Sequence, residues 1–311
     1  MAEIKTSSRR RRLVASVGLT VFSALLLAYL FWPRANPPEP PLPSPNGYDD
    51  FLRAKDSFRV QPAEFKNATS AELVAYVATN SEALKFIRVG LARECRVPLE
   101  YTQGFMTKHL TDLATFKALT RLLVTEGKLA EAEGRTNDAA RIYLETIRFS
   151  HEIARGGLMI DNLVSFACEA IAVEPLSKIV PRLDAPTCRE MILLLRKIER
   201  ESASVEEVRK RERLWADQAS PVPRPLRIVQ MIIQTRTLNP LKAALKKAEQ
   251  KAAVIQRRRR VLLVELAARA YTLEKGKPPE KLEDFVPDYL SAVPLEPDGL
   301  QRLKWIPALS Q

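Results

Sequence analysis

Hydrophobic positions along this chain form one unbroken run, followed by a long series of helical spacings. The run is Leu13 to Trp32, LVASVGLTVFSALLLAYLFW, twenty residues without a charge. At 1.5 Å per residue such a helix spans roughly 30 Å, the thickness of a bilayer's hydrocarbon core. Eleven of its residues are Leu, Val or Phe, each favouring insertion by roughly 0.3–0.6 kcal/mol near the helix centre. The run predicts a transmembrane helix anchored through Leu13, Leu19, Phe22, Leu26 and Leu30, with Tyr29 and Trp32 at the headgroup level.

Past the run, apolar residues recur three and four apart. Thr69-Ser70-Ala71-Glu72 has the form of a capping box ahead of Leu73, Val74 and Val77. Asn80 is expected to cap a helix from Ser81 to Ala92. Leu110, Leu113, Phe116, Leu119, Leu123 and Leu129 mark a helix over about Thr107–Glu133, and Gly134 breaks it. A second arm over Asp138–Arg155 ends at Gly156-Gly157. A third, Leu158–Val180, is apolar throughout and reads as central. Asp184 caps a fourth helix, with Pro186 in its first turn, and Ser204–Ala219 reads as a charged, amphipathic fifth.

The longest helix is expected to start at Asn239-Pro240 and run to Lys275, where Gly276, Pro278 and Pro279 stop it. Leu241, Leu245, Ala248, Ala252 and Ile255, then Leu262 and Leu266, follow a 4-3 spacing. Arg259 occupies the intervening seam position, so the two-heptad seam is expected to break at Gln256-Arg257-Arg258-Arg259-Arg260. Val261 to Tyr271 is apolar on more than one face and belongs in the core.

The predicted class is all-α: one N-terminal transmembrane helix, a proline-rich linker, and a helical bundle with one long C-terminal helix and a short irregular cap. Boundaries fall at 1–12 (basic tail), 13–32 (signal anchor), 33–47 (linker), 48–275 (helical domain) and 276–311 (cap). Pro33 to Pro45 holds seven prolines in thirteen residues, an extended spacer of about 40 Å at roughly 3.1 Å per residue.

Charge then sets the orientation. Lys5 and Arg9, Arg10, Arg11 and Arg12 precede the span against Glu3, whereas Arg34 and Glu39 balance after it. Excess Lys and Arg mark the cytoplasmic side, so the chain after Trp32 is expected outside the inner membrane. No small-x-small site follows the run, which favours an uncleaved anchor. Ser16, Thr20, Ala24 and Ala28 lie four apart, a ladder of small residues that permits two such helices to approach closely and dimerise.

Chemical signals are few. His151-Glu152-Ile153-Ala154-Arg155 begins like a zinc-binding HExxH helix but carries Arg where the second ligand belongs. No Walker loop, GxSxG elbow or dinucleotide fingerprint occurs. Cys95, Cys168 and Cys188 lack metal-ligand spacing and read as buried thiols, the alternative being one bridged pair, and a Cys–His pair from Cys95 or Cys168 stays open. Asp49-Asp50 and Glu206-Glu207 read as solvated acidic pairs. Arg257, Arg258, Arg259 and Arg260 suggest contact with a polyanion such as anionic lipid, or a salt-bridged, solvated face. Four consecutive arginines circle a helix rather than forming a stripe, and the expected location argues against nucleic acid. No cofactor or metal is implied.

Two resemblances add to this reading. Gly276, Pro279, Leu282, Val286-Pro287, Tyr289-Leu290, Val293-Pro294, Pro297 and Gly299 resemble a segment recurring at the end of uncharacterised bacterial membrane-anchored proteins, and more loosely the pseudopilins of type II secretion. That likeness implies an envelope location. Pilus assembly is not implied, because residues 9–32 lack the pilin Glu and its glycine context. Ala132, Ala139, Ala140, Tyr143 and Ile147 around Gly134 resemble one tetratricopeptide hairpin, without a 34-residue period. The expected function is a non-enzymatic, membrane-tethered interaction or scaffold module working with the bilayer and another envelope protein. The alternatives are an accessory component of an export machine and an envelope hydrolase with a spatially assembled site.

Overall fold

The computed structural model describes residues 21–23, 41–59, 69–102, 104–219 and 235–305, except the side chains of 235–245 and 247–249. Among the described residues the elements are helical, with a single isolated bridge between Leu295 and Arg302 in place of any sheet. In chain order they are α1 (Gly47–Ser57), α2 (Ser70–Thr79), α3 (Ser81–Leu91), α4 (Phe105–Ala132), α5 (Thr136–Glu152), α6 (Met159–Ile179), α7 (Ala185–Glu201), α8 (Val205–Ala219) and α9 (Thr235–Lys275), plus 3-10 turns at Val180–Arg182 and Leu282–Phe285. No described helix is long and apolar enough to cross a membrane. Of the predicted span only 21–23 lies within the described residues, where Phe22 is helical and exposed. Arg9 to Arg12, Leu13, Leu19, Leu26, Leu30, Trp32 and the ladder Ser16, Thr20, Ala24 and Ala28 lie outside them.

Local sequence signals position most helix starts. Thr69 and Glu72 form the reciprocal capping box. Asp184 accepts from the Thr187 amide at 2.8 Å, with Pro186 in the first turn of α7. Ser204 and Glu207 exchange the same pair of bonds ahead of α8, so Glu207 serves as a cap partner rather than half of a free acidic pair. Asn80 departs from expectation. Its carboxamide accepts from the Arg59 amide and donates to the Tyr76 carbonyl, leaving α3 without a side-chain cap.

Two further expectations fail at helix level. The longest helix begins at Thr235, before Asn239-Pro240. Proline deletes one backbone hydrogen bond near a helix start, which does not prevent a turn from preceding it. Leu110 is exposed on α4, whereas Leu113, Phe116, Leu119 and Leu123 are buried. α4 is wrapped on several sides, and Leu110 lies on its remaining solvent edge.

Two apolar clusters share the helices. One gathers Tyr48, Phe51, Ile87, Leu91, Phe116 and Phe149 from α1, α3, α4 and α5, with Phe149 edge-on to Phe51 at 5.0 Å. Asp50 lies inside this layer beside Arg53 and Arg93 and is only 1 % exposed, contrary to the solvated reading. The other cluster joins α5, α6, α7 and α9 to the C-terminal cap through Tyr143, Ile147, Leu176, Leu195, Leu262 and Leu266. Residues 282–305 fold back onto α9, burying Phe285, Tyr289, Leu290 and Leu303.

The α4–α5 hairpin closes on Ala139 and Ala140, whereas Ala132, expected to share that packing, is exposed at the end of α4. Ala139, Ala140, Tyr143 and Ile147 are fully buried. Gly127 is required sterically: a Cβ there would lie 2.4 Å from the Tyr143 ring. Gly276, at φ +70, ends α9 in the left-handed region that favours glycine.

Candidate functional site

Four elements converge on one buried polar cluster. His151 closes the last turn of α5, Glu169 projects from the middle of α6, Ser202 is the C-cap of α7, and Arg259 comes from α9. Arg259 donates from Nε to Glu169 Oε1 at 2.5 Å and from Nη2 to Oε2 at 2.7 Å. The His151 Nε2 to Glu169 Oε2 distance is 3.1 Å, and His151 Nδ1 lies 3.3 Å from Ser202 Oγ. Glu169 is fully buried and Arg259 is 4 % exposed.

Arg259 therefore corrects the reading of the basic run. The seam is not interrupted by a solvated residue, because this guanidinium faces inward and finds a carboxylate inside the apolar stretch of α6. Of its neighbours, Arg257 pairs with Glu296 at 3.1 Å, and Arg260 pairs with Glu199 at 2.8 Å and donates to the Leu295 and Glu296 carbonyls. Arg258 is exposed. The four arginines thus point in different directions, and Arg259 is not available to an external polyanion.

Electrostatics fix the protonation states of the cluster. Burial raises the Glu169 carboxyl, but the charge of Arg259 and the hydrogen bonds from His151 and Arg259 outweigh it, leaving the group at about 2. Burial lowers His151, the nearby Arg259 charge lowers it further, and the Glu169 contact opposes both. An ionised carboxylate only accepts, so Nε2 carries the proton of the neutral imidazole and Nδ1 presents its lone pair towards Ser202. The Ser202 hydroxyl also donates to the Ile198 carbonyl at 2.7 Å.

This cluster opens on a cleft of about 220 Å³ bordered by Arg155, Asn162, Phe166, Gln256 and Arg260. Arg155 is held by Glu152 and Glu201. A second groove of about 320 Å³ lies between α7, α9 and the cap, lined by Arg196, Arg200, Leu263, Leu290, Val293 and Pro294.

The other sequence-flagged groups lie elsewhere. His109 is buried against Asp161 at 2.6 Å and stacks on Phe105. Asp161 also accepts from the Leu158 amide, which fixes the start of α6. The three cysteines are free and buried. Burial pushes Cys95 and Cys188 up to about 12 and Cys168 to about 11, so all three remain thiols. Cys95 donates to the Gly90 carbonyl, Cys168 lies beside Thr120, and His109 and His151 pair with Asp161 and Glu169, so the Cys–His arrangement left open by the sequence forms with neither Cys95 nor Cys168. Among the described residues no group of His, Cys, Asp and Glu is arranged to hold a metal ion.

Sequence reasoning missed Glu169, Ser202 and the inward Arg259. The stretch Leu158–Val180 carries Asp161, Glu169 and Glu174, and Glu174 is exposed beside Lys178, so spacing alone did not single out Glu169 as the one needing a buried cationic partner. Comparison with protein-family models, curated proteins and solved structures finds no match to this chain.

Proposed function

We propose that this chain is a membrane-tethered, extracytoplasmic helical module that binds another envelope protein through the groove beside Arg196 and Arg200. The Leu13–Trp32 run and the preceding arginines support the anchor and its orientation. The spacer ends in a defined attachment: Asn46 donates to the Arg96 carbonyl at 2.8 Å, accepts from the Arg96 amide at 3.0 Å, and caps α1.

One observation carries the binding reading. Arg196 and Arg200 make no ion pair among the described residues, while Arg189, Arg257, Arg259 and Arg260 around them are all engaged. The two line an apolar floor of Leu263, Leu290 and Val293. Free guanidinium groups beside apolar surface suit a partner segment that sets a carboxylate next to an apolar side chain.

The test is a photo-crosslinker at Val293 in the full-length protein in its native membrane. A discrete adduct lost in the Arg196→Glu/Arg200→Glu variant supports the reading. An adduct unchanged by that variant, or no adduct, overturns it.

A further inference from the structure

We propose that Ser202, His151 and Glu169 form a serine hydrolase site that cleaves short-chain carboxyl esters in the cleft between α5, α6, α7 and α9. Three groups stand in sequence: a hydroxyl 3.3 Å from one imidazole nitrogen, and a carboxylate 3.1 Å from the other. A nucleophile, a base and a group orienting that base are the parts of a triad, recognised by geometry rather than by motif or chain order. They come from positions 202, 151 and 169, at the C-cap of α7 and on α5 and α6, so no linear motif records them.

The surroundings suit each role. Glu169 is ionised and immobilised by Arg259, and it fixes the imidazole tautomer that leaves Nδ1 free. His151 is neutral at rest and able to accept a proton. Its imidazolium, opposed by burial and by the Arg259 charge, is supported by the ionised Glu169 and by the C-terminal ends of α5 and α7, where helix dipoles favour a cation. Ser202 is exposed, and its proton reaches Nδ1 by rotating away from the Ile198 carbonyl. Arg155 and Arg260 border the cleft, each already engaged by carboxylates, Arg155 by Glu152 and Glu201 and Arg260 by Glu199.

The reaction balances with water as co-reactant. Ser202 Oγ bonds to the ester carbonyl carbon while its proton passes to Nδ1 and the carbonyl π pair moves to oxygen. Collapse breaks the bond to the leaving alkoxide, which takes the proton from Nδ1. Water then attacks the acyl-serine, giving its proton to Nδ1, and the carboxylic acid departs as Oγ recovers that proton. A cleft of about 220 Å³ lies below the roughly 300–1,000 Å³ typical of drug-sized ligands, so a short acyl group is the part of an ester it can enclose.

The experiment uses the full-length protein in detergent, an alkyl fluorophosphonate probe and p-nitrophenyl acetate. The expected result is a phosphonyl adduct at Ser202 by peptide mass. Ester turnover should fall at least ~10³-fold in Ser202→Ala and in His151→Gln. Ser202 is exposed, so its alanine variant should keep the helical circular dichroism of the parent. Ser81→Ala, exposed at the start of α3 and outside the cleft, should retain both labelling and turnover. For Glu169, a positioning residue, Glu169→Gln should move the pH–rate profile, whereas a purely structural role would lower stability alone. Absence of a Ser202 adduct, or turnover unchanged in Ser202→Ala, overturns the proposal.

Discussion

Arg259 on α9 holds both carboxylate oxygens of Glu169 on α6, at 2.5 and 2.7 Å, inside the cluster that unites α5, α6, α7 and α9. Two parallel N–H···O bonds fix orientation as well as distance, which a lysine at this position would not do. Removing Arg259 leaves the buried Glu169 charge with only the neutral His151 as a hydrogen-bond partner. Arg259→Met should therefore destabilise by about 3–5 kcal/mol. Adding Glu169→Leu should restore at least half of that loss. Urea denaturation of the full-length protein in detergent, followed by circular dichroism, measures both variants.

Acidification should weaken the fold through the same cluster. The folded Glu169 carboxyl is held at about 2, so its stabilisation is present above about pH 4.5 and is lost as pH falls towards 2. His151 is held below its ordinary 6.5 by burial and by Arg259, with Arg155 adding to the effect and Glu169 opposing it. The neutral imidazole is favoured in the folded state, so that contribution is full above about pH 6.5 and declines as pH falls below it. Between pH 7.5 and 5.5 the parent should lose more stability than His151→Gln. Equal losses would contradict the assignment.

Packing in the α4–α5 hairpin makes a local prediction. Gly127→Ala forces a methyl into the Tyr143 ring, which is buried on both arms, and should cost about 1–3 kcal/mol by overpacking. Leu110→Ala on the exposed edge of α4 should change stability by less than about 0.5 kcal/mol. Thermal unfolding of the two variants side by side separates these sites.

The cap depends on a cluster at the far end of α9. Arg189 donates twice to Glu274 at 2.6 Å, Tyr289 donates to the same carboxylate at 2.7 Å, and the guanidinium lies 4.4 Å over the Tyr289 ring. The Arg189 hydrogen bonds lead in holding Glu274 at about 2, despite its exposure. Glu274→Ala should leave α9 folded while raising amide exchange over residues 282–303. Unchanged protection there would show that Phe285 and Leu290 alone hold the cap.

Much of the helical arrangement was legible because its signals are local. Thr69 with Glu72, Asp184 with Pro186, and Gly276 act within a few residues of themselves, so spacing alone identifies them. Arg259 and Asp50 were misread for the opposite reason. A charge in a sequence looks solvated until a partner is known, and their partners lie ninety and forty-three residues away. The His151–Ser202 contact is equally remote in sequence, fifty-one residues apart. Leu110 kept helical spacing with the core positions of α4, and that spacing did not reveal where the burying neighbours end.

The proposed tether and its proposed orientation are tested most directly by adding protease to intact spheroplasts expressing the full-length chain. The account predicts digestion of the helical domain over residues 48–275, with the arginine-bearing tail before Leu13 protected. Protection of the helical domain until the membrane is lysed would contradict it.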